Sequence, residues 1–185
     1  MIPKITIARR SGASALQARI RDITRLAAYV GIPADAASRK SVLAEMAGKT
    51  KGKRKKARLE KATSGDVNNA ELLFIFSKGS PLHHQPPRPV LEPAVKDDAR
   101  RHGAITRELA ASAKASLAGD GEEATRRMGR AALAGQSAAR RWFVNPDNNW
   151  APNSLRTVKA KGSDRPGIDT GAMRAAIIGI TREES

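Results

Sequence analysis

One stretch of this chain, residues 122–143, repeats small side chains at helical spacing. Its apolar positions are mostly alanine and glycine, with a larger residue near each end: Met128, Ala131, Ala132, Gly135, Ala138, Ala139 and Trp142. Recurrence at three and four residues predicts a helix, and small side chains let a neighbouring element approach closely. Acidic residues at the start and arginines near the end suit the helix dipole. We therefore predict a long helix with a close partner.

The partner predicted for this helix is the segment before it, from about Pro93 to Leu117. Its apolar stripe consists of Val95, Ile105, Leu109, Ala113 and Leu117. Gly119 and Gly121 separate the two segments, and so short a connection favours an antiparallel helix pair. Composition supports this interpretation, because only 3% of residues are aromatic and much of the 40% hydrophobic fraction is alanine. Alanine suits close helix packing better than a bulky sheet core.

Shorter elements surround this predicted pair. Apolar spacing from Ser14 to Leu26 indicates an amphipathic helix, with Ser11 or Ser14 as its N-cap. We predict strands at 28–32 and 175–181, and an edge strand or extended arm at 2–7. The apolar run at 72–76 is either a buried strand or the end of a helix. Weaker patterns predict a helix at 38–47 and helical turns at 155–161 and 172–174.

These elements predict the fold class. We expect residues 1–185 to form a single α+β domain, with a small mixed or antiparallel β-sheet packed against the long antiparallel helix pair. Three segments stand apart from this framework: a basic insertion or loop at 34–66, a Pro-rich extended loop at 80–93, and a C-terminal interaction loop at 145–171. Each proline in the second segment fixes its own φ and disfavours helix before it.

Charge and cysteine content exclude several classes of protein. The 185 residues carry a formal net charge of +16 and contain no cysteine. A disulfide scaffold, a cysteine-ligated zinc site and thiol catalysis are therefore excluded. No apolar run approaches the length of a transmembrane helix, and the first residues do not resemble a signal peptide. We expect a soluble protein, made in the cytoplasm, that has a polyanionic neighbour.

The positive charge is concentrated in residues 49–61, which carry +7 of the total. Its eight basic residues are Lys49, Lys51, Lys53, Arg54, Lys55, Lys56, Arg58 and Lys61. One interpretation is a solvated loop, because the segment holds only one large apolar side chain, Leu59. The other is a basic finger that contacts DNA phosphates or an acidic subunit, in a manner sensitive to salt. A nuclear localisation signal has no further support.

No catalytic constellation emerges from the sequence. His83 and His84 are adjacent on the Pro-rich loop, but no carboxylate or cysteine lies at ligand spacing, so we interpret them as ordinary loop histidines. The acidic pairs are adjacent residues, which diverge on a helix and form no paired-carboxylate site. Phosphate-binding loops and nucleophile elbows are also missing from the sequence. We predict no enzyme activity, no cofactor and no metal.

Several segments, taken in order, resemble a known family. They are residues 76–80 (FSKGS) with 86–94 (PPRPVLEPA), then the helix pair, then 150–157 (WAPNSLRT) with 161–171 (KGSDRPGIDTG). They are similar to the neck, or tail-completion, proteins of tailed bacteriophages, also called virion-morphogenesis proteins. The resemblance covers roughly residues 69–181. The chain departs from the family pattern at Val90, where the family usually has Phe, and at Gly167, where it often has Leu.

The resemblance implies a structural subunit of the virion. Such subunits form a ring, here of six or twelve copies, at the head–tail junction, with a portal-side adaptor on one side and a tail terminator or tail-tube protein on the other. Packaged DNA passes through the ring, and no membrane is involved. The candidate subunit-interface residues are Arg88, Pro89, Leu91, Trp150, Lys161, Asp169, Thr170 and Gly171. The alternative is a nucleic-acid-binding module that acts through residues 49–61.

Overall fold

The described part of the chain is an α+β structure, which confirms the predicted fold class. The computed structural model describes residues 12–33, 44–45, 47–49, 51–53, 56–57, 60 and 68–184. Its helices and strands, in chain order, are α1 (Gly12–Arg25), β1 (Leu26–Gly31), α2 (Asn69–Lys78), α3 (Leu91–Arg101), α4 (Ala104–Ala118), α5 (Gly121–Trp142), α6 (Leu155–Lys161), α7 (Ala172–Ala176) and β2 (Ile178–Glu183). The predicted arm at 2–7 and most of the predicted helix at 38–47 lie outside these residues.

The two strands form one antiparallel sheet that joins the ends of the described chain. Leu26 lies opposite Glu183, and Gly31 lies opposite Ile178. The sheet packs against α5, where the backbone N–H of Gly179 donates a hydrogen bond to Gln136 Oε1 at 2.8 Å. Both predicted strands are therefore confirmed, with bounds that differ by a few residues.

Helix α5 is the longest described helix, and it buries the whole predicted small-residue stripe. Its start is capped by the Asp120 side chain, which accepts a hydrogen bond from the Glu123 N–H at 2.9 Å. Helix α4 packs along α5 after a two-residue connection. The sheet also approaches this stripe closely, since a Cβ on Gly135 would lie 2.5 Å from a Val30 methyl group. The alanine-rich face therefore accommodates a strand as well as a helix.

The prediction of one long helix over residues 93–117 is wrong, because these residues form two helices, α3 and α4. The chain breaks at Gly103, whose φ of +61° is left-handed and favours glycine. The N–H groups of His102 and Gly103 both donate to the Asp98 carbonyl, at 2.9 and 2.6 Å. The Asp98 carboxylate then accepts a hydrogen bond from the Ile105 N–H at 3.0 Å. One buried aspartate thus supports the end of α3 and the start of α4.

The apolar run that the sequence left open as strand or helix belongs to helix α2. Asn68 and Glu71 form a capping box, in which each side chain accepts a hydrogen bond from the backbone N–H of the other residue.

The N-cap predicted for helix α1 was Ser11 or Ser14. Ser14 lies inside α1 and is therefore not its N-cap, and Ser11 lies outside the described residues. No helix in the described part of the chain has the length and apolar character needed to cross a membrane.

Candidate interaction groove

Three aromatic side chains from separate segments form one cluster, which we call the aromatic cluster: Phe76 in α2, Phe143 just after α5, and Trp150. The ring centroids of Phe76 and Phe143 are 6.2 Å apart and nearly parallel. The Trp150 ring meets both rings edge-on, at 5.2 Å from Phe76 and 5.6 Å from Phe143. Such edge-on pairs stabilise a core beyond simple burial. Trp150 therefore fastens the C-terminal loop to the ends of α2 and α5.

The Pro-rich loop is held to the same cluster by its carbonyl groups. The indole N–H groups of Trp142 and Trp150 both donate to the Pro89 carbonyl oxygen, at 3.2 and 3.1 Å. One carbonyl oxygen, which has two lone pairs, thus accepts hydrogen bonds from both indole groups. Pro89 thus lies at the junction of α5, the Pro-rich loop and the C-terminal loop.

Arg88 connects the Pro-rich loop to the C-terminal loop directly. Its side chain is buried, and its Nε and Nη2 donate to the Ala151 carbonyl at 3.1 and 2.8 Å, while Nη2 also donates to the Pro152 carbonyl at 3.1 Å. The guanidinium also lies 5.7 Å from the centre of the Phe76 ring. Burial lowers the pKa of the Arg88 guanidinium below its ordinary value. In this chain Arg88 is a buried internal clamp.

Gly167 brings the last motif of the resemblance against the aromatic cluster. Its φ is +69°, and a Cβ placed on it would lie 2.7 Å from Phe76 Cζ and 3.0 Å from Phe143 Cε1. A side chain at this position would overlap both rings. Glycine therefore allows the C-terminal loop to pack against the two phenylalanines.

These contacts build a groove of about 710 Å³, which we call the interaction groove. This volume lies within the range of about 300–1,000 Å³ typical of ligand sites. The start of α2, the Pro-rich loop, and the segments around α6 and α7 all contribute to its lining. Five of the eight interface residues proposed from the sequence line it: Arg88, Lys161, Asp169, Thr170 and Gly171.

The residues at the C-terminal wall of the groove are held by local hydrogen bonds. Lys161 Nζ donates to the Arg165 carbonyl at 2.9 Å. Thr170 Oγ1 accepts a hydrogen bond from the Ala172 N–H at 3.2 Å and supports the start of α7. Gly171 has a φ of +85°, and a Cβ there would meet open space. Glycine is thus favoured at this position by its backbone conformation.

The remaining interface candidates lie elsewhere. Pro89 and Leu91 line a second, more apolar groove of about 460 Å³ between the end of β1, α2 and the start of α3. Phe74, on the outward side of α2, also lines this groove and is 65% exposed. The sequence analysis left the run at 72–76 open as a buried strand or the end of a helix, and neither interpretation identified this exposed aromatic side chain.

The sequence also gave no indication of Asn69, which lies in the first turn of α2 and lines the interaction groove. Its side chain is fully buried, and neither Oδ1 nor Nδ2 has a hydrogen-bond partner among the described residues. Buried amides nearly always have partners, so an unpaired one needs an explanation. The helical position of Asn69, next to the Asn68 cap, was the only sequence signal available.

The basic segment is described only in part. Lys49, Lys51, Lys53 and Lys56 are exposed, and Lys49 forms an ion pair with Glu45. The other four basic candidates, Arg54, Lys55, Arg58 and Lys61, lie outside the described residues. His83 and His84 are exposed at the groove, and no cluster of three potential metal ligands occurs within the described ranges.

Comparison of the whole chain with protein-family models, curated proteins and solved structures gives no match.

Proposed function

We propose that this chain is a structural subunit of the neck of a tailed bacteriophage, in the ring that joins the DNA-filled head to the tail. One observation carries the proposal: the motifs behind the resemblance, although far apart in sequence, contact one another through Arg88, the aromatic cluster and Gly167. A set of motifs that forms one packed unit is more informative than separate short matches, because it accounts for their residue types together.

The geometry of this unit suits assembly. Loops that are held by carbonyl clamps and aromatic packing present a preformed surface, so little ordering is needed when a neighbour binds. In this proposal the chain forms a closed ring of six or twelve copies, contacts a portal-side adaptor and a tail terminator or tail-tube protein, and lies in the virion around the DNA channel. It has no catalytic role in this arrangement.

Deletion and complementation of the gene in its phage test the proposal. We expect particles that lack the chain to accumulate as unjoined heads and tails in electron micrographs. A plasmid copy of the wild-type chain should restore joined particles and should be present in them after purification. Joined, infectious particles in the absence of the chain would contradict the proposal.

The alternative function is nucleic-acid binding through the basic segment, and the exposure of its four described lysines favours it. Neutralising Lys51, Lys53 and Lys56 together should then weaken DNA binding and reduce its dependence on salt. A matched control neutralises Arg156, Lys159 and Arg165, which are exposed in and after α6. Equal loss in both variants would indicate a general charge effect and exclude a dedicated basic finger.

A further inference from the structure

Helix α1 carries an apolar stripe that the rest of the described chain leaves uncovered. The stripe repeats at spacings of three, four and three residues, and it consists of Ala13, Leu16, Ile20 and Ile23. Every residue from 13 to 22 is exposed, and Leu16 and Ile20 are 49% and 47% exposed. A helix of this length gains most of its stability by packing its apolar face. The stripe of α5, in contrast, is entirely buried.

The contacts that hold α1 on the body of the protein lie in its second half. Arg19 Nη1 donates a hydrogen bond to the Leu117 carbonyl at 2.8 Å, at the end of α4. An arginine in this place pairs with a terminal carbonyl and suits the helix dipole. Ile23 is half-buried and lines a cavity of about 480 Å³ between α1, α4 and α5. These two residues fix α1, so its first half, with Leu16, presents a preformed surface.

The spacing of the stripe indicates what kind of element covers it. A narrow stripe that alternates between three and four residues is the seam of a coiled coil, whose partner is another amphipathic helix. We propose that α1 pairs with an acidic amphipathic helix of a different protein, which lies along Ala13, Leu16 and Ile20. The proposal goes beyond the neck function and does not rest on it, because it requires only the exposed stripe and the charge around it.

The charge at this end of the chain makes the partner acidic. The first 25 residues carry a formal charge of +5, from one acidic residue, Asp22, and six basic residues: Lys4, Arg9, Arg10, Arg19, Arg21 and Arg25. Within α1, Arg21 and Arg25 are both exposed. Opposite charges steer two proteins together, and like charges exclude the wrong partner. A helix with leucines on one face and carboxylates beside them complements both properties of α1.

Other occupants fit this surface less well. DNA would pair with the arginines through its phosphates, but it would leave Leu16 and Ile20 in water. Helices that lie on membranes have an apolar face with Trp, Phe and Leu, whereas the stripe of α1 is narrow and the helix contains no aromatic residue. A second copy of this chain carries the same net charge of +16, which opposes its approach.

The stability of a polar variant tests whether the stripe serves the fold instead of a partner. Leu16→Gln combined with Ile20→Gln keeps the charge and replaces both residues by a good helix former. Because both side chains are half-exposed, we expect this polar variant to melt within ~4 °C of the wild type. The control Ile177→Gln, at a fully buried position, should melt far lower. A larger loss in the polar variant would show that the stripe packs inside the chain, and would overturn the proposal.

Binding of a synthetic acidic helix to the purified chain tests the partner. The probe is a labelled peptide of about four heptads with leucine at a and d and glutamate at e and g, and a matched peptide carries lysine in place of glutamate. We expect the wild-type chain to bind the acidic peptide, and the polar variant to bind it at least ~10-fold more weakly, because it buries less apolar surface. Leu109→Gln with Leu133→Gln, a control on exposed leucines outside the stripe, should bind like the wild type.

Several results would overturn the proposal. Equal binding of the acidic peptide by the wild type and the polar variant would show that charge alone attracts it. No binding of the acidic peptide, or equal binding of the lysine peptide, would exclude an acidic helix as the partner. A wild-type dimer that the polar variant loses in analytical ultracentrifugation would make a second copy the occupant. Binding to phosphatidylserine vesicles that the polar variant loses would make a membrane the occupant.

Discussion

Replacing Arg88 with methionine should weaken the connection between the Pro-rich loop and the C-terminal loop. The substitution keeps most of the side-chain length but leaves the carbonyls of Ala151 and Pro152 without their three hydrogen bonds from the guanidinium. Hydrogen bonds to a charged group contribute about 1.5–3 kcal/mol each, and a cation over a ring adds about 0.5–2 kcal/mol. The three bonds share one group whose burial is itself costly, so we expect a net loss of about 2–4 kcal/mol.

Urea unfolding monitored by tryptophan fluorescence measures this loss. Trp142 and Trp150 both donate to the Pro89 carbonyl next to Arg88, so their emission reports directly on the connection. Arg88→Lys should lose about half as much, because an ammonium group keeps the charge but lacks the planar fork that matches two carbonyls. Arg156→Met is the matched control on an exposed arginine and should change stability by about 0.5 kcal/mol or less. Equal unfolding free energies for Arg88→Met and Arg156→Met would refute the clamp.

Three further predictions concern the elements around the groove. Gly167→Ala should lower the free energy of unfolding by about 1–3 kcal/mol more than Gly162→Ala does. Both glycines have positive φ, but only a Cβ at Gly167 would contact the aromatic cluster. Thermal denaturation of both variants measures the difference. Asp98→Ala should cost about 1–3 kcal/mol in urea unfolding, since it removes the carboxylate at the start of α4. Hydrogen bonding to Arg127 lowers the pKa of the Glu123 carboxyl below its ordinary value. The stability that Glu123 contributes should therefore be present above the ordinary pKa and be lost as the pH falls through the lowered pKa. NMR titration of the carboxyl group measures the lowered pKa.

The long helix α5 could be predicted because its evidence is local. Small apolar residues repeat at helical spacing between Asp120, which caps the start, and arginines at the end. Every residue of the predicted small-residue stripe is buried. The strands at both ends were also predictable from short β-branched and apolar runs. Both patterns depend only on residues that are close in sequence, so the sequence alone is enough to identify them.

The break between α3 and α4 was missed, although its signal was present. Gly103 follows two arginines and a histidine, which is an ordinary helix C-terminus, but the apolar spacing from Val95 to Leu117 continues across it. Tertiary support from Asp98 decides the outcome, because its backbone and side chain end one helix and start the next. Periodicity alone does not show such a change of direction.

The candidate interface residues were taken from the resemblance and stay a prediction, and the geometry of the groove was not predictable from composition. Arg88 and Gly171 were named as interface residues, yet the structure gives Arg88 an internal role and explains Gly171 by its backbone conformation. The carboxamide of Asn69 is unpaired because no described residue places a hydrogen-bonding group next to it in the fold. The exposure of Phe74 depends on the direction in which α2 packs. Sequence patterns do not encode either property at a single position.

A reconstruction of the neck of the intact particle at side-chain resolution tests the central claim most directly. We predict that copies of this chain form one closed ring of six or twelve subunits around the DNA channel, between the portal-side adaptor and the tail. A fully resolved neck in which every protein is assigned and this chain is missing would contradict the account.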